Sequence, residues 1–554
     1  MFYQRDKLTS FMIVVFAFII GVLTTIGCQQ TEPAGEQTQG GPKSEALQEK
    51  LGLAVAADRA SALPVRRMVE APAPSIEANI GAERPDWSTE EYSRIVENNF
   101  KQTLLNPLST FSIDVDTASY ANCRRFIREG SLPPKDAVRI EEFINYFSYD
   151  YEEPASDAPL AVNSEMSVCP WNPDHDLLMI GLQAEKVDLE EAPANNLVFL
   201  LDVSGSMNSD DKLGLLKKGM HMLVSQLRPQ DRVAIVVYAG SAGMVLDSTP
   251  GDQKEAILGA IDRLSAGGST AGGEGIELAY KIAEESFQKG ANNRVILGTD
   301  GDFNVGVSDT GSLTRLIEDK RETGVFLSVL GFGRGNLKDS RMESLADKGN
   351  GNYSYIDGPM EAKKALVTEF GGTMIAVAKD VKLQIEFNPA FVKAWRLVGY
   401  ENRVMAAEDF DDDKKDAGEL GAGHQVTAFY ELVRAESGEE VSSNDDLKYQ
   451  QKKLVASDEL MTLKFRYKAP DGDTSKRVDI PVKATAIWSD APSENFEFAS
   501  AVAEFGLLLR DSQHKGRASM ESLIARAKSA KGEDENGYRA QFIDLATKAE
   551  ALME

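Results

Sequence analysis

Between residues 197 and 372 the chain alternates short, continuous apolar runs with windows of helical periodicity. The runs at 197–201, 233–238, 295–298, 325–330 and 353–356 have no regularly polar side, which predicts strands buried on both faces. Amphipathic windows at 212–227, 253–264, 274–288, 313–321, 338–346 and 361–370 predict helices between them. A short run at 244–247, close behind its neighbour, fits an antiparallel edge strand. Alternation of this kind specifies an α/β domain with a doubly wound, mostly parallel sheet, bounded here at 195–372.

The flanks carry different patterns. Residues 86–190 predict an α+β flanking domain, with a helix near 92–100, a strand at 110–115, helices at 120–129 and 140–146, and strands at 161–168 and 177–184. After 372 the apolar positions recur every second residue, at 381–387, 395–398, 427–432, 461–467 and 478–482. Period two with one buried face predicts a β-sandwich, and the turn Pro470, Asp471, Gly472, Asp473 predicts a hairpin within it. From Phe496 onward the pattern is helical again, with Ala501, Phe505, Leu508 and Leu509 on one stripe and a last helix at 538–552. The region 373–554 is therefore expected to be a β-sandwich plus helices.

The first residues belong to targeting rather than to the fold. Arg5 and Lys7 precede an apolar run at 11–23, followed by Gly27 and Cys28. A basic start, a short apolar core and a small residue before a cysteine resemble a bacterial lipoprotein signal spanning 1–28. That resemblance implies lipidation of Cys28 and a body held at the cell envelope, in the periplasm or at the cell surface. The alternative is an uncleaved N-terminal anchor. Residues 29–85, rich in Gln, Glu, Gly, Ala and Pro, predict a flexible linker with a reach of roughly 45 Å. Cys123 and Cys169 then remain, either as a pair or as two buried thiols.

Charge narrows the partners. The 554 residues include 60 Lys and Arg against 87 Asp and Glu, a formal net charge of −27. Such a surface repels a phosphate backbone, so nucleic acid is not expected as a partner.

The candidate chemistry sits where three loops meet one edge of the predicted sheet. In an open parallel sheet, ligands collect at the carboxyl ends of the strands. The first strand runs into Asp202, Val203, Ser204, Gly205 and Ser206; Thr270 lies in a glycine-rich loop; Asp300 follows the strand at 295–298. All five side chains offer hard oxygen, which suits Mg²⁺ first and Mn²⁺ or Ca²⁺ next. Two carboxylates roughly neutralise a divalent cation, leaving it able to accept one more anionic oxygen, such as an Asp or Glu of a protein ligand.

Asp202-x-Ser204-x-Ser206, a separate Thr270 and the turn Thr299, Asp300, Gly301 resemble the metal-ion-dependent adhesion site of von Willebrand factor type A domains. The resemblance implies a Rossmann-like fold, Ser204, Ser206 and Thr270 as direct ligands, and Asp202 and Asp300 as direct or water-mediated ones. Segments 111–120 and 139–147 are similar to a bacterial lipoprotein family in which such a domain sits between family-specific flanks. They imply that strands before 197 and after 372 form one sandwich with the type A domain inserted. The expected function is a cell-envelope-anchored, non-enzymatic binding protein that holds a protein ligand through the cation. The alternative is a structural or assembly scaffold in which the metal only stabilises the loops.

Other signals carry less. Asp114 and Asp116 lack the companions of a phosphatase site, and a hydrogen-bonding turn accounts for them better. Asp409, Asp411 and Asp413 begin like a calcium loop, but Lys414 and Leu420 stand where glycine and glutamate are required. Gly331, Gly333 and Gly335 have the wrong spacing for a nucleotide loop. No H-E-x-x-H or G-x-S-x-G motif accompanies the four histidines.

Overall fold

The computed structural model describes residues 90–554, apart from 114–115, 156–157, 189, 191, 270–271, 302–309, 336, 370–374, 414, 416, 442–454, 471 and 473. The expected export signal at 1–28 with Cys28 and the expected linker at 29–85 lie outside the described residues, as does Thr270.

The predicted parallel sheet is present. Its strands run in the order Tyr353–Ile356, Val325–Phe332, Asn292–Thr299, Asn195–Asp202, Arg232–Tyr238, Ala242–Pro250. Every pairing is parallel except the last, where Ala242–Pro250 lies antiparallel at the edge. Asn195–Asp202 is buried along its whole length, because helices cover both faces. Leu197, Phe199 and Leu201 face one helical layer, and Val198 and Leu200 face the other. The chain moves to one side of this strand first and to the other afterwards, which makes the gap between Asn195–Asp202 and Asn292–Thr299 a topological switch point.

The flanks combine into one body instead of standing as separate domains. Leu108–Ser112, from the upstream flank, pairs antiparallel with Ala376–Phe387, from the downstream one. Asn172–Ala184 pairs with Gln425–Arg434. Two sheets result, one ordered Lys101–Gln102, Val392–Val398, Gln425–Arg434, Asn172–Ala184, Leu160–Cys169. The other is ordered Val404–Met405, Leu108–Ser112, Ala376–Phe387, Glu459–Lys468, Ser475–Lys483. Phe111, Leu383, Ile385 and Leu463 from one sheet pack on Leu178, Ile180, Trp395 and Tyr430 from the other. Strands of the flank expected at 86–190 bury their apolar faces against strands of 373–554, with the parallel-sheet domain inserted between them in sequence, as the likeness of 111–120 and 139–147 implies.

Helices cover the outer face of the first sheet. On Asn172–Ala184, Leu178, Ile180 and Leu182 point into the sandwich, while Leu177 and Met179 point into a helical layer. That layer joins Ala118–Arg128 and Ile140–Asn145 to the C-terminal helices Glu494–Arg510, Met520–Ser529 and Tyr538–Met553 through Tyr120, Phe143, Phe505 and Phe542. Glu494–Arg510 is buried on nearly all sides, because it lies between these helices and the sheet. Cys123 and Cys169 are both free and buried in this layer.

Residues 92–100 contain no helix, contrary to expectation. The segment's polar groups bind across the fold instead of along the chain: Ile95 N–H donates to Asp136, and Asn98 Nδ2 donates to the carbonyls of Leu397 and Gly399.

Candidate functional site

Asp202 ends the central strand and Asp300 follows its neighbour Asn292–Thr299, so the two carboxylates meet at the switch point. Both are buried, at 0% and 1% exposure. The Asp202 carboxylate accepts the backbone N–H of Ser204 at 2.8 Å and the Tyr238 hydroxyl at 3.1 Å. Thr299 Oγ1 lies 3.4 Å from the same carboxylate. Ser204 Oγ and Ser206 Oγ stand 2.9 Å apart, with Ser204 buried and Ser206 exposed. The structure therefore brings four of the five predicted groups to one place.

The loop that carries Thr270 docks on the same motif. Gly267 N–H donates to the Val203 carbonyl at 2.8 Å, and Gly205 N–H donates to the Gly268 carbonyl at 3.1 Å. Gly268 has φ +86, and a Cβ there would approach the Gly240 nitrogen at 3.3 Å. A side chain at 268 would meet both backbone strain and crowding, so glycine is required for this docking.

Lys212, just before the helix Leu213–Gln226, was not anticipated from sequence. Its Nζ lies 2.8 Å from Asp300 Oδ2 and 3.0 Å from the Ser206 carbonyl. Its methylenes fill the space beside Gly333, where an added Cβ would come within 2.3 Å of Lys212 Cε. Tyr238 was missed too, and Thr299 was named only as part of its turn; both end strands next to Asp202, and a register for the sheet would have pointed to their contact with it.

The two buried carboxylates act on each other. Burial pushes the Asp202 carboxyl above its usual range, against the Ser204 hydrogen bonds, and the Asp300 charge adds to the push. Burial also raises the Tyr238 phenol, followed by the Asp202 charge. Among the described residues no group of three or more His, Cys, Asp or Glu is placed to hold a metal. The donors here are two carboxylates and hydroxyls, a hard-oxygen set that fits a divalent cation of the Mg²⁺ kind.

The discounted signals have structural roles. Asp116 accepts the backbone N–H of Tyr353 at 2.8 Å, and Asp114 lies outside the described residues. Asp411 and Asp413 pair with Arg466 in an exposed loop. The Gly331–Gly335 stretch anchors the site's surroundings: Tyr355 donates its hydroxyl to the Gly333 carbonyl, and Gly335 N–H donates to Glu90.

Sequence comparison covers nearly all of this architecture. Residues 196–368 match the von Willebrand factor type A domain, residues 86–179 match the family described as von Willebrand factor, and residues 372–552 match that described as uncharacterized protein YfbK, C-terminal. Uncharacterized protein YfbK of Escherichia coli (strain K12) is 46% identical over 475 residues, 84% of this chain and 82% of the relative. The chain belongs to the YfbK family. The uncharacterized protein sll0103 of Synechocystis is 32% identical over 189 residues, 33% of this chain and 43% of that protein. Among solved structures, a von Willebrand factor type A protein from Catenulispora acidiphila aligns with 79% of this chain and 89% of its own. Its sequence identity is 16% and its TM-score 0.36. In this family member the type A domain is an insert, with sandwich strands on either side of it in sequence.

Proposed function

We propose that this YfbK-family protein is a cell-envelope-anchored binding protein whose type A domain holds a protein ligand through one divalent cation. The observation that carries this reading is the meeting of buried Asp202 and Asp300 with the Ser204 and Ser206 hydroxyls at the switch point, where the fold already draws in an ammonium group. Asp202, Ser204, Ser206, Thr270 and Asp300 are the proposed ligands, with Mg²⁺ as the expected ion. A bound cation of this kind supplies a positive centre that accepts a carboxylate oxygen from a partner's Asp or Glu. The protein's own part is binding and orientation: Tyr238 and Ser204 fix the Asp202 carboxylate, and Gly267 and Gly268 dock the glycine-rich loop on Val203 and Gly205. No catalytic step is proposed. Anchoring is assigned to a lipid on Cys28.

The test is calorimetric titration of Mg²⁺ and Mn²⁺ into the protein and into Asp202→Asn, which keeps the shape of the side chain and removes its charge. One ion per chain, weakened at least about a hundredfold in the variant, is the expected result. A second titration, of a glutamate-bearing peptide into the metal-loaded protein, separates adhesion from a scaffold role. Metal binding with no peptide binding at millimolar concentration would favour the scaffold, in which the cation only stabilises the loops.

A further inference from the structure

At the opposite end of the parallel sheet from Asp202, a cavity of about 280 Å³ opens between the inserted domain and the sandwich. Its charged lining is Arg294, Lys348 and Arg403 with Asp347 and Glu419, and His424 completes the wall. Two of the three cations have carboxylates of their own. Arg403 pairs with Asp116, Glu343 and Asp347, and Lys348 pairs with Glu318. Arg294 differs. It is 3% exposed, its Nη1 donates to Ser328 Oγ at 2.7 Å, and its buried Nε has no hydrogen-bond partner. No carboxylate among the described residues lies within ion-pair distance of it; Glu419 acts on it only through its field and instead accepts a hydrogen bond from Asn350.

A buried guanidinium with an unused donor is costly unless something supplies the missing charge. Burial holds Arg294 down to about 10, and burial likewise lowers His424, so the histidine adds no charge at neutral pH. With Arg403 and Lys348 held by carboxylates of their own, Arg294 is the cation of this lining that lacks an ion pair among the described residues, and one monoanion would supply it. A carboxylate matches the planar fork of a guanidinium. Asn350 and Asn402 each donate one amide hydrogen to Glu419 and Glu343, and their second amide hydrogens, with the Asn352 amide, border the remaining space and suit hydroxyl or amide functions on the same molecule.

We propose that this cavity binds a small monocarboxylate bearing hydroxyl or amide groups, with Arg294 as its anchor. The ligand would sit between the inserted domain and the sandwich and join them from the side away from the metal loops.

The experiment measures thermal stability and calorimetric binding of the full chain with gluconate and N-acetylglycine, against inorganic phosphate and chloride at matched ionic strength. Expected is saturable stabilisation by at least one of the two carboxylates and at least tenfold weaker binding of it to Arg294→Met. Glu419→Gln, which lightens the negative wall and leaves Arg294 in place, is expected to bind it more tightly. It also serves if Arg294→Met does not fold. The proposal is overturned if neither carboxylate binds saturably, if phosphate binds more tightly than both, or if neither variant changes the affinity.

Discussion

Lys212 Nζ sits 2.8 Å from Asp300 Oδ2, so the candidate metal site contains its own internal cation. A divalent ion that takes Asp300 as a ligand competes with that ammonium. Lys212→Met keeps the hydrophobic stem beside Gly333 and removes the charge. The variant is expected to bind Mg²⁺ at least about tenfold more tightly, as calorimetry would read it. Unchanged binding would show that Lys212 leaves the site at no cost, and weaker binding that it supports the site instead of competing for it.

The inserted domain is also tied to the helical layer by a buried ion cluster. Arg124, 1% exposed, donates to Asp357 at 2.7 and 2.5 Å and to Glu361 at 2.6 Å, and Tyr146 donates to Glu361 at 2.7 Å. Arg124→Met leaves these carboxylates without their shared partner and is expected to cost about 3–5 kcal/mol in denaturant unfolding. Glu361→Gln is expected to cost less than half as much, because burial already raises the Glu361 carboxyl.

Acid stability is predicted to depend on Glu431. Burial raises its carboxyl, but hydrogen bonds from His175, Arg396 and Trp171 and the Arg396 charge outweigh burial and bring it down to about 2 from 4.5. A carboxyl more acidic in the folded state contributes stability above its unfolded value. That contribution fades as pH falls from 4.5 toward about 2. Glu431→Gln should therefore lower the melting temperature at pH 7 and flatten its fall across that acid window. A variant whose melting curve keeps the wild-type acid slope would refute the assignment.

Cys28→Ser is expected to move the protein from the membrane fraction to the soluble one while leaving Mg²⁺ titration unchanged. Retention of the variant in the membrane would point to an uncleaved apolar anchor at 11–23.

Residues whose chemistry depends on near neighbours along the chain are legible in the sequence alone. Asp202, Ser204 and Ser206 share one turn, and the fully apolar stretch around Phe199 announces a strand covered on both sides. What escapes such a reading depends on contacts across the fold. Lys212 reveals its role only when Asp300 is beside it, and residues 92–100 have helical periodicity but give their polar groups to Asp136, Leu397 and Gly399. The pairing of Ser112 with Lys382 leaves no local trace, although the likeness of 111–120 to an inserted-domain family pointed to it.

The same pairing has a consequence for how the protein is made. Leu108–Ser112 leaves the ribosome long before Ala376–Phe387, its partner in the sheet. The inserted domain, complete in its own strands, can close while that early strand still exposes an open edge. Contacts so distant in sequence form slowly. The inserted domain can thus be finished first, and the sandwich sealed around its two ends last.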